Sequence, residues 1–154
     1  MRAFEDFKVG DVVELAPLAI TAADIKSFAA RFDPQPMHLD EATQNTIVDG
    51  LFASGLHIVC VHMRLFADGV LRDSTSMGSP GVEEIRYLAP VRPGDCLTLR
   101  VEIVGARPSK SRPEMGLVNF RSHMVNGDGK PVLEMTATLM FGRRAGAGGS
   151  GVAV

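Results

Sequence analysis

Apolar residues recur at helical spacing in two separate segments of the chain. The first segment begins at Thr21, which forms with Asp24 the capping-box pattern of a helix N-terminus. The apolar positions of this segment fall on one helix face, and they are Ile25, Phe28, Ala29 and Phe32. The helix is expected to end at Asp33, because a proline at position 34 disfavours the α conformation of the residue before it. The pattern therefore places Asp33 at a helix end, at the mouth of a turn.

The second helical segment covers residues 55–71, with Ser54 as the expected N-cap. Most of its residues are apolar, and its thin polar stripe consists of His57, Arg64 and Asp68. A helix that is apolar on almost every side is expected to be buried on almost every side. Its length would be roughly 25 Å, about the width of a small sheet.

Beyond a break rich in Gly and Ser at residues 77–81, the pattern changes to that of β-strands. Segments rich in β-branched and apolar residues occupy positions 82–88, 96–104, 117–125 and 132–141. Turn signals separate them, and the Asn-Gly-Asp-Gly sequence at residues 126–129 is typical of a hairpin. An additional early strand over residues 11–20 would make five strands.

This order of elements predicts an α+β fold, in which a curved antiparallel sheet of about five strands wraps round the long second helix. The chain has 154 residues and is 45% hydrophobic, enough for one domain with its own core. The domain is expected to cover residues 1–143. Residues 144–154 have the Gly-rich composition of a flexible tail.

Charge and cysteine content narrow the range of partners and compartments. A net charge of −2 argues against nucleic acid or an anionic membrane as the main partner. Cys60 and Cys96 each lie in an apolar run, without a metal-binding cluster, and are expected to be buried thiols in a reducing compartment. The first ten residues lack an apolar signal-peptide core, and polar residues interrupt the longest apolar stretch. A cytoplasmic protein is the resulting expectation.

Candidate chemistry is concentrated in residues 32–40, Phe-Asp-Pro-Gln-Pro-Met-His-Leu-Asp. Two prolines stiffen the segment between Asp33 and His38, because each fixes its own φ angle. A carboxylate and an imidazole at fixed separation can activate a water or move a proton. Two interpretations remain open from the residues alone: an acid–base pair, or a helix-end aspartate and a turn histidine bonded to backbone.

The same segment resembles the D-x-N-P-x-H-x-D signature of the MaoC-like dehydratases, the (R)-specific enoyl-CoA hydratase group of the hot-dog fold. Residues 53–56, Ala-Ser-Gly-Leu, resemble that family's Ala-His-Gly-Met at the start of the hot-dog helix. Residues 90–95, Pro-Val-Arg-Pro-Gly-Asp, are similar to its proline-valine turn, and the resemblance extends over residues 5–143. It implies a hot-dog domain that hydrates trans-2-enoyl thioesters or dehydrates 3-hydroxyacyl thioesters. It also implies coenzyme A as the carrier within the substrate and no metal or organic cofactor.

Carried over residue by residue, the resemblance makes Asp33 and His38 the catalytic pair. The backbone N–H of Gly55, at the start of the second helix, would stabilise the charge that develops on the thioester oxygen. Three departures from the family pattern affect substrate identity more than the reaction itself. They are Gln35 in place of Asn, Ser54 in place of His, and Cys60 in place of Ser.

For several other residues, two interpretations of their role remain open. His57 is either a packed helix histidine or a substrate contact, whereas His62 and His123 are expected to be structural or exposed. The basic residues Arg107, Lys110 and Arg112 form either a solvated hairpin loop or a contact for coenzyme A phosphates.

The open edge of a small sheet predicts a homodimer, or a multiple of dimers. The family resemblance implies that the active site lies at the dimer interface. The competing functions are a hot-dog acyl-CoA thioesterase and a non-catalytic acyl-thioester-binding subunit.

Overall fold

Five strands form one antiparallel sheet in the computed structural model, which describes residues 1–44 and 47–146. In chain order they are β1 (Val12–Ala19), β2 (Gly81–Tyr87), β3 (Cys96–Pro108), β4 (Met115–Val125) and β5 (Pro131–Gly142). Their order across the sheet is β1-β3-β4-β5-β2. All five predicted strands are confirmed, and β3 is longer than predicted because it continues into the basic segment that was expected to be a loop.

The first helix, α1 (Ala22–Phe32), begins and ends where the sequence predicts. The Thr21 hydroxyl accepts a hydrogen bond from the backbone N–H of Asp24 at 3.1 Å, and the Asp24 carboxylate accepts one from the N–H of Thr21 at 2.9 Å. Asp33 leaves the helix with φ −152° and ψ 68°, outside the α region that a following proline disfavours.

The second helix, α2 (Gly55–Phe66), packs on the sheet and continues into a π-helical turn over Ala67–Leu71. Its inward apolar side chains join the sheet's inner face in one core, and they are Ile58, Val61, Leu65 and Phe66. The prediction of burial on almost every side is wrong, because Leu56 is 56% exposed and Met63 is 48% exposed. The sheet of one chain covers only one side of the helix. A helix that is apolar on all sides therefore gives no prediction of which face is buried in the core and which face stays uncovered.

The edge strand β2 is exposed along its whole length. Among the residues that the structure describes, it pairs only with β5. Its inward residues Val82, Ile85 and Tyr87 all remain exposed beside the uncovered face of α2. Strand edges of this kind are normally covered in native proteins.

The prediction that both cysteines are buried is also wrong. Cys60 is exposed on α2, and Cys96 at the start of β3 is only partly buried. Within the described ranges, none of the helices combines the length and the apolar character needed to cross a membrane. Most of the predicted flexible tail, residues 147–154, lies outside the described residues.

Candidate active site

Asp33 and His38 are brought together by the turn that follows α1. The chain leaves the helix at Asp33 and forms a 3-10 turn over Pro36–His38, in which proline occupies the first position. This turn places the Nε2 atom of His38 3.5 Å from the Oδ2 atom of Asp33. The His38 side chain is 4% exposed and that of Asp33 is 20% exposed. The carboxylate is therefore the more accessible member of the pair.

The orientation of the His38 ring is determined by the backbone of Phe52. The Nδ1 atom of His38 lies 2.7 Å from the carbonyl oxygen of Phe52. A carbonyl oxygen can only accept, so Nδ1 carries the proton and donates it. In a neutral ring, Nε2 is then an acceptor that faces Asp33. The Phe52 ring packs edge-on against the imidazole at 4.9 Å and holds its plane.

Two side chains donate hydrogen bonds to the Asp33 carboxylate. The Ser54 hydroxyl donates to Oδ2 at 2.5 Å, and the Gln35 amide donates to Oδ1 at 2.7 Å. These bonds, that of Ser54 first, lower the pKa of Asp33 below its ordinary value and keep it ionised at neutral pH.

Ser54 occupies the N-cap position of α2 as predicted, but its side chain makes no capping hydrogen bond. The predicted capping role is therefore wrong. The buried hydroxyl instead donates a hydrogen bond to the Asp33 carboxylate, which is a stronger acceptor than a neutral group. The N-terminus of α2 offers N–H donors and no such acceptor.

Gly55 begins α2 beneath the side chain of Tyr87 from the edge strand. A Cβ atom at Gly55 would lie 2.7 and 2.8 Å from two carbon atoms of the Tyr87 ring, closer than any real contact. A side chain at this position would therefore have to displace the Tyr87 ring, a contact that the sequence did not predict. The predicted close approach of a thioester oxygen to Gly55 stays a prediction. The first N–H groups of a helix have no intrahelical acceptor, and they lie at the positive end of its dipole.

A cleft of about 430 Å³ connects these groups. Asp33, Gln35, His38 and Gly55 all lie on its wall, next to the Tyr87 ring. The rest of the lining is mainly apolar and includes Met37, Val48, Ile58, Leu88, Val91 and Val132. Such a cleft can hold an apolar chain beside an ionised carboxylate, an imidazole acceptor and a helix N-terminus.

His57 does not lie on this cleft. Its ring stacks on Phe28 of α1 at 4.7 Å, with an angle of 5° between the rings, and it lines a separate groove between the two helices. Burial lowers the pKa of His57, and the nearby Asp24 carboxylate opposes this effect. The position is that of a packed helix histidine.

The basic residues Arg107, Lys110 and Arg112 lie at the opposite end of the sheet from the cleft. Arg107 pairs with Leu117 at one end of β3, whereas the cleft borders the other end, where Thr98 pairs with Val125. The separation along β3 is roughly 30 Å. The loop of one chain therefore does not meet the cleft of the same chain, and a phosphate contact stays a prediction.

Comparison with known proteins supports a common origin for most of the chain. The family model described as MaoC like domain matches residues 6–121. The chain is 31% identical to the (R)-specific enoyl-CoA hydratase of Rhodospirillum rubrum over 151 residues, which cover 94% of each protein. It is 25% identical to the uncharacterized protein YdeM of Bacillus subtilis over 140 residues, 90% of this chain and 98% of that protein.

A crystal structure of a MaoC-like dehydratase from Rhodospirillum rubrum superposes with a TM-score of 0.85 at 39% identity, covering 92% of this chain and 97% of that one.

Proposed function

Since the chain belongs to the MaoC-like domain family and has its hot-dog fold, we propose that it interconverts a trans-2-enoyl-CoA and a 3-hydroxyacyl-CoA. The observation that carries this proposal is the Asp33–His38 pair at 3.5 Å, on the same cleft as the N-terminus of α2. Addition of water to a conjugated double bond needs a base for the water, a proton for C2 and stabilisation of the thioester oxygen. The cleft contains a candidate for each.

In the hydration direction, a water molecule binds on the cleft side of the pair, within hydrogen-bond reach of both Asp33 and His38. The Nε2 atom of His38 takes a proton from it, because hydrogen bonds lower the pKa of Asp33 and make the carboxylate the weaker base. The water oxygen bonds to C3 as the double bond opens, and the electron pair moves onto the thioester oxygen. The imidazolium, stabilised by the ionised Asp33, then returns a proton to C2. The pair ends in its starting protonation state.

The charge on the thioester oxygen is stabilised by the N–H of Gly55. This N–H lies at the start of α2, where the helix dipole favours a negative charge. The thioester would lie next to the Tyr87 ring, with the acyl chain along α2 and the coenzyme A outside the cleft. No metal or organic cofactor is part of this mechanism, and coenzyme A enters as part of the substrate.

A panel of trans-2-enoyl-CoA substrates tests the proposal, with loss of the conjugated absorbance as the readout. Release of free thiol, measured in parallel, would identify a thioesterase instead. Tight binding without either change would identify an acyl-thioester-binding subunit. Asp33→Asn is the informative variant, because it removes the carboxylate next to His38. Full turnover in a folded Asp33→Asn protein would contradict the mechanism.

We further propose that the protein acts in the cytoplasm as a dimer, or a multiple of dimers. The exposed edge strand β2 and the uncovered side of α2 support the dimer, because both present apolar side chains next to the cleft. In a two-fold dimer, the basic loop that reaches the coenzyme A phosphates would have to be that of the second copy.

A further inference from the structure

A second, smaller cavity lies further along α2, and a histidine lines it. The cavity has a volume of about 70 Å³, room for about two water molecules or one small polar group. Its walls come from α2, from the inner face of the sheet and from the start of β2. Most of them are apolar, including Phe66, Phe120, Met135 and Leu139.

His62 is the unusual residue of this wall. Its side chain is 2% exposed, and both ring nitrogens are buried without a hydrogen-bond partner among the described residues. Burial lowers its pKa to about 4, so at neutral pH the ring is uncharged, with one donor and one acceptor. The Ser122 hydroxyl, from β4, lines the same cavity. Buried polar groups are normally paired, so two unpaired nitrogens indicate that a group is missing.

The cavity and the cleft lie in series along one side of α2. Gly55 and Ile58 line the cleft, and His62 and Phe66 line the cavity. On the sheet, Tyr87 is opposite Leu133 at the cleft, while Val82 is opposite Ala137 at the cavity. An acyl chain whose thioester lies at Gly55 would reach His62 after about 10 Å of helix.

We propose that His62 binds a hydroxyl or carbonyl oxygen at the far end of the acyl chain, so that the substrate is a polar-ended acyl thioester rather than a plain alkyl one. This inference rests on the proposed function for the direction of the chain. The hydrogen bond between His62 and the oxygen occupies about 3 Å of this distance. The remaining length of about 7 Å corresponds to about five carbons that advance roughly 1.3 Å each, so the oxygen belongs about five carbons beyond the thioester carbonyl.

The test measures binding rather than turnover. The Kd values of 6-hydroxyhexanoyl-CoA and heptanoyl-CoA, which differ by a hydroxyl in place of a methyl, are compared by calorimetry. The wild-type protein should bind the hydroxylated compound about tenfold more tightly, because it pairs a buried nitrogen. In His62→Leu the preference should reverse, since the wall is then apolar. His123→Leu, on the outer face of the sheet, is the control and should keep the wild-type preference.

A second readout identifies the contact directly. The ring resonances of His62 should shift when the hydroxylated compound binds and shift less with heptanoyl-CoA. A wild-type preference for heptanoyl-CoA, failure to bind either compound, or an equal preference in wild type and His62→Leu would overturn the inference. Failure of the proposed function would appear differently, as the absence of enoyl-CoA hydration with the binding preference intact.

Discussion

Mild acid should destabilise this protein through His62, the buried histidine of α2. Burial lowers the pKa of His62 from 6.5 to about 4 in the folded state, whereas the unfolded chain keeps the ordinary value. Between these two pH values the unfolded state binds more protons than the folded state. Stability is therefore fully present above about pH 6.5 and is lost as the pH falls towards 4.

The size of the loss follows from the interval between the two pKa values. Each pH unit corresponds to about 1.4 kcal/mol, so the full loss is about 3 kcal/mol. About 2 kcal/mol of it should be lost by pH 5. This is a large fraction of the free energy of unfolding of an ordinary domain.

Urea unfolding of the wild type and of His62→Leu at neutral pH and near pH 5 measures this loss. The pH-dependent loss should be about 2 kcal/mol smaller in the variant, because leucine cannot take up a proton. At neutral pH the variant should be at least as stable as the wild type, since two unpaired buried nitrogens are removed. His123→Leu removes a less buried histidine and should not abolish the loss. Parallel pH curves for the wild type and His62→Leu would refute the reasoning.

Four further outcomes test the site and the assembly. Asp33→Asn and His38→Ala should each lower kcat by a factor on the order of 10² or more without unfolding the protein, and the double variant should lose little more than the worse single one; additive losses would show that the two side chains do not act as a unit. Gly55→Val should lower kcat at least about tenfold, because the displaced Tyr87 ring narrows the cleft. The unfolding midpoint should change little, because that exposed ring can move away from the new methyl groups. Charge reversal of the basic residues in the 107–112 loop should raise KM with little change in kcat, and unchanged kinetics would identify a solvated hairpin. Light scattering should give a dimer or a multiple of it, and a fully active monomer at micromolar concentration would exclude an interface role for β2.

The uncovered face of α2 is relevant to more than assembly. The inward residues of β2 border the cleft through Tyr87 and the small cavity through Val82. A second copy packed on this edge would cover both openings. The substrate path would then depend on two chains, although each chain supplies its own Asp33 and His38.

Features that depend on near neighbours in the chain could be predicted from the amino-acid sequence. The capping pattern at Thr21 and the proline after Asp33 were sufficient to place the Asp33 carboxylate at a helix end. The Asn-Gly-Asp-Gly segment correctly predicted the hairpin between β4 and β5. In each case the backbone conformation is decided within three or four residues, where the local hydrogen bonds and the proline ring act directly.

The groups that these residues contact could not be predicted from the sequence, because they depend on how distant segments pack. The Ser54 hydroxyl contacts Asp33 instead of capping its own helix, the Phe52 carbonyl selects the tautomer of His38, and the Tyr87 ring covers Gly55. Each partner comes from a segment many residues away, so no local pattern contains it. The all-round apolar pattern of α2 likewise did not reveal which face the sheet covers or that His62 would be buried without a partner. The hydrophobic effect is non-directional, so an apolar side chain does not specify its partner. The packing of distant segments decides which side of a helix is covered.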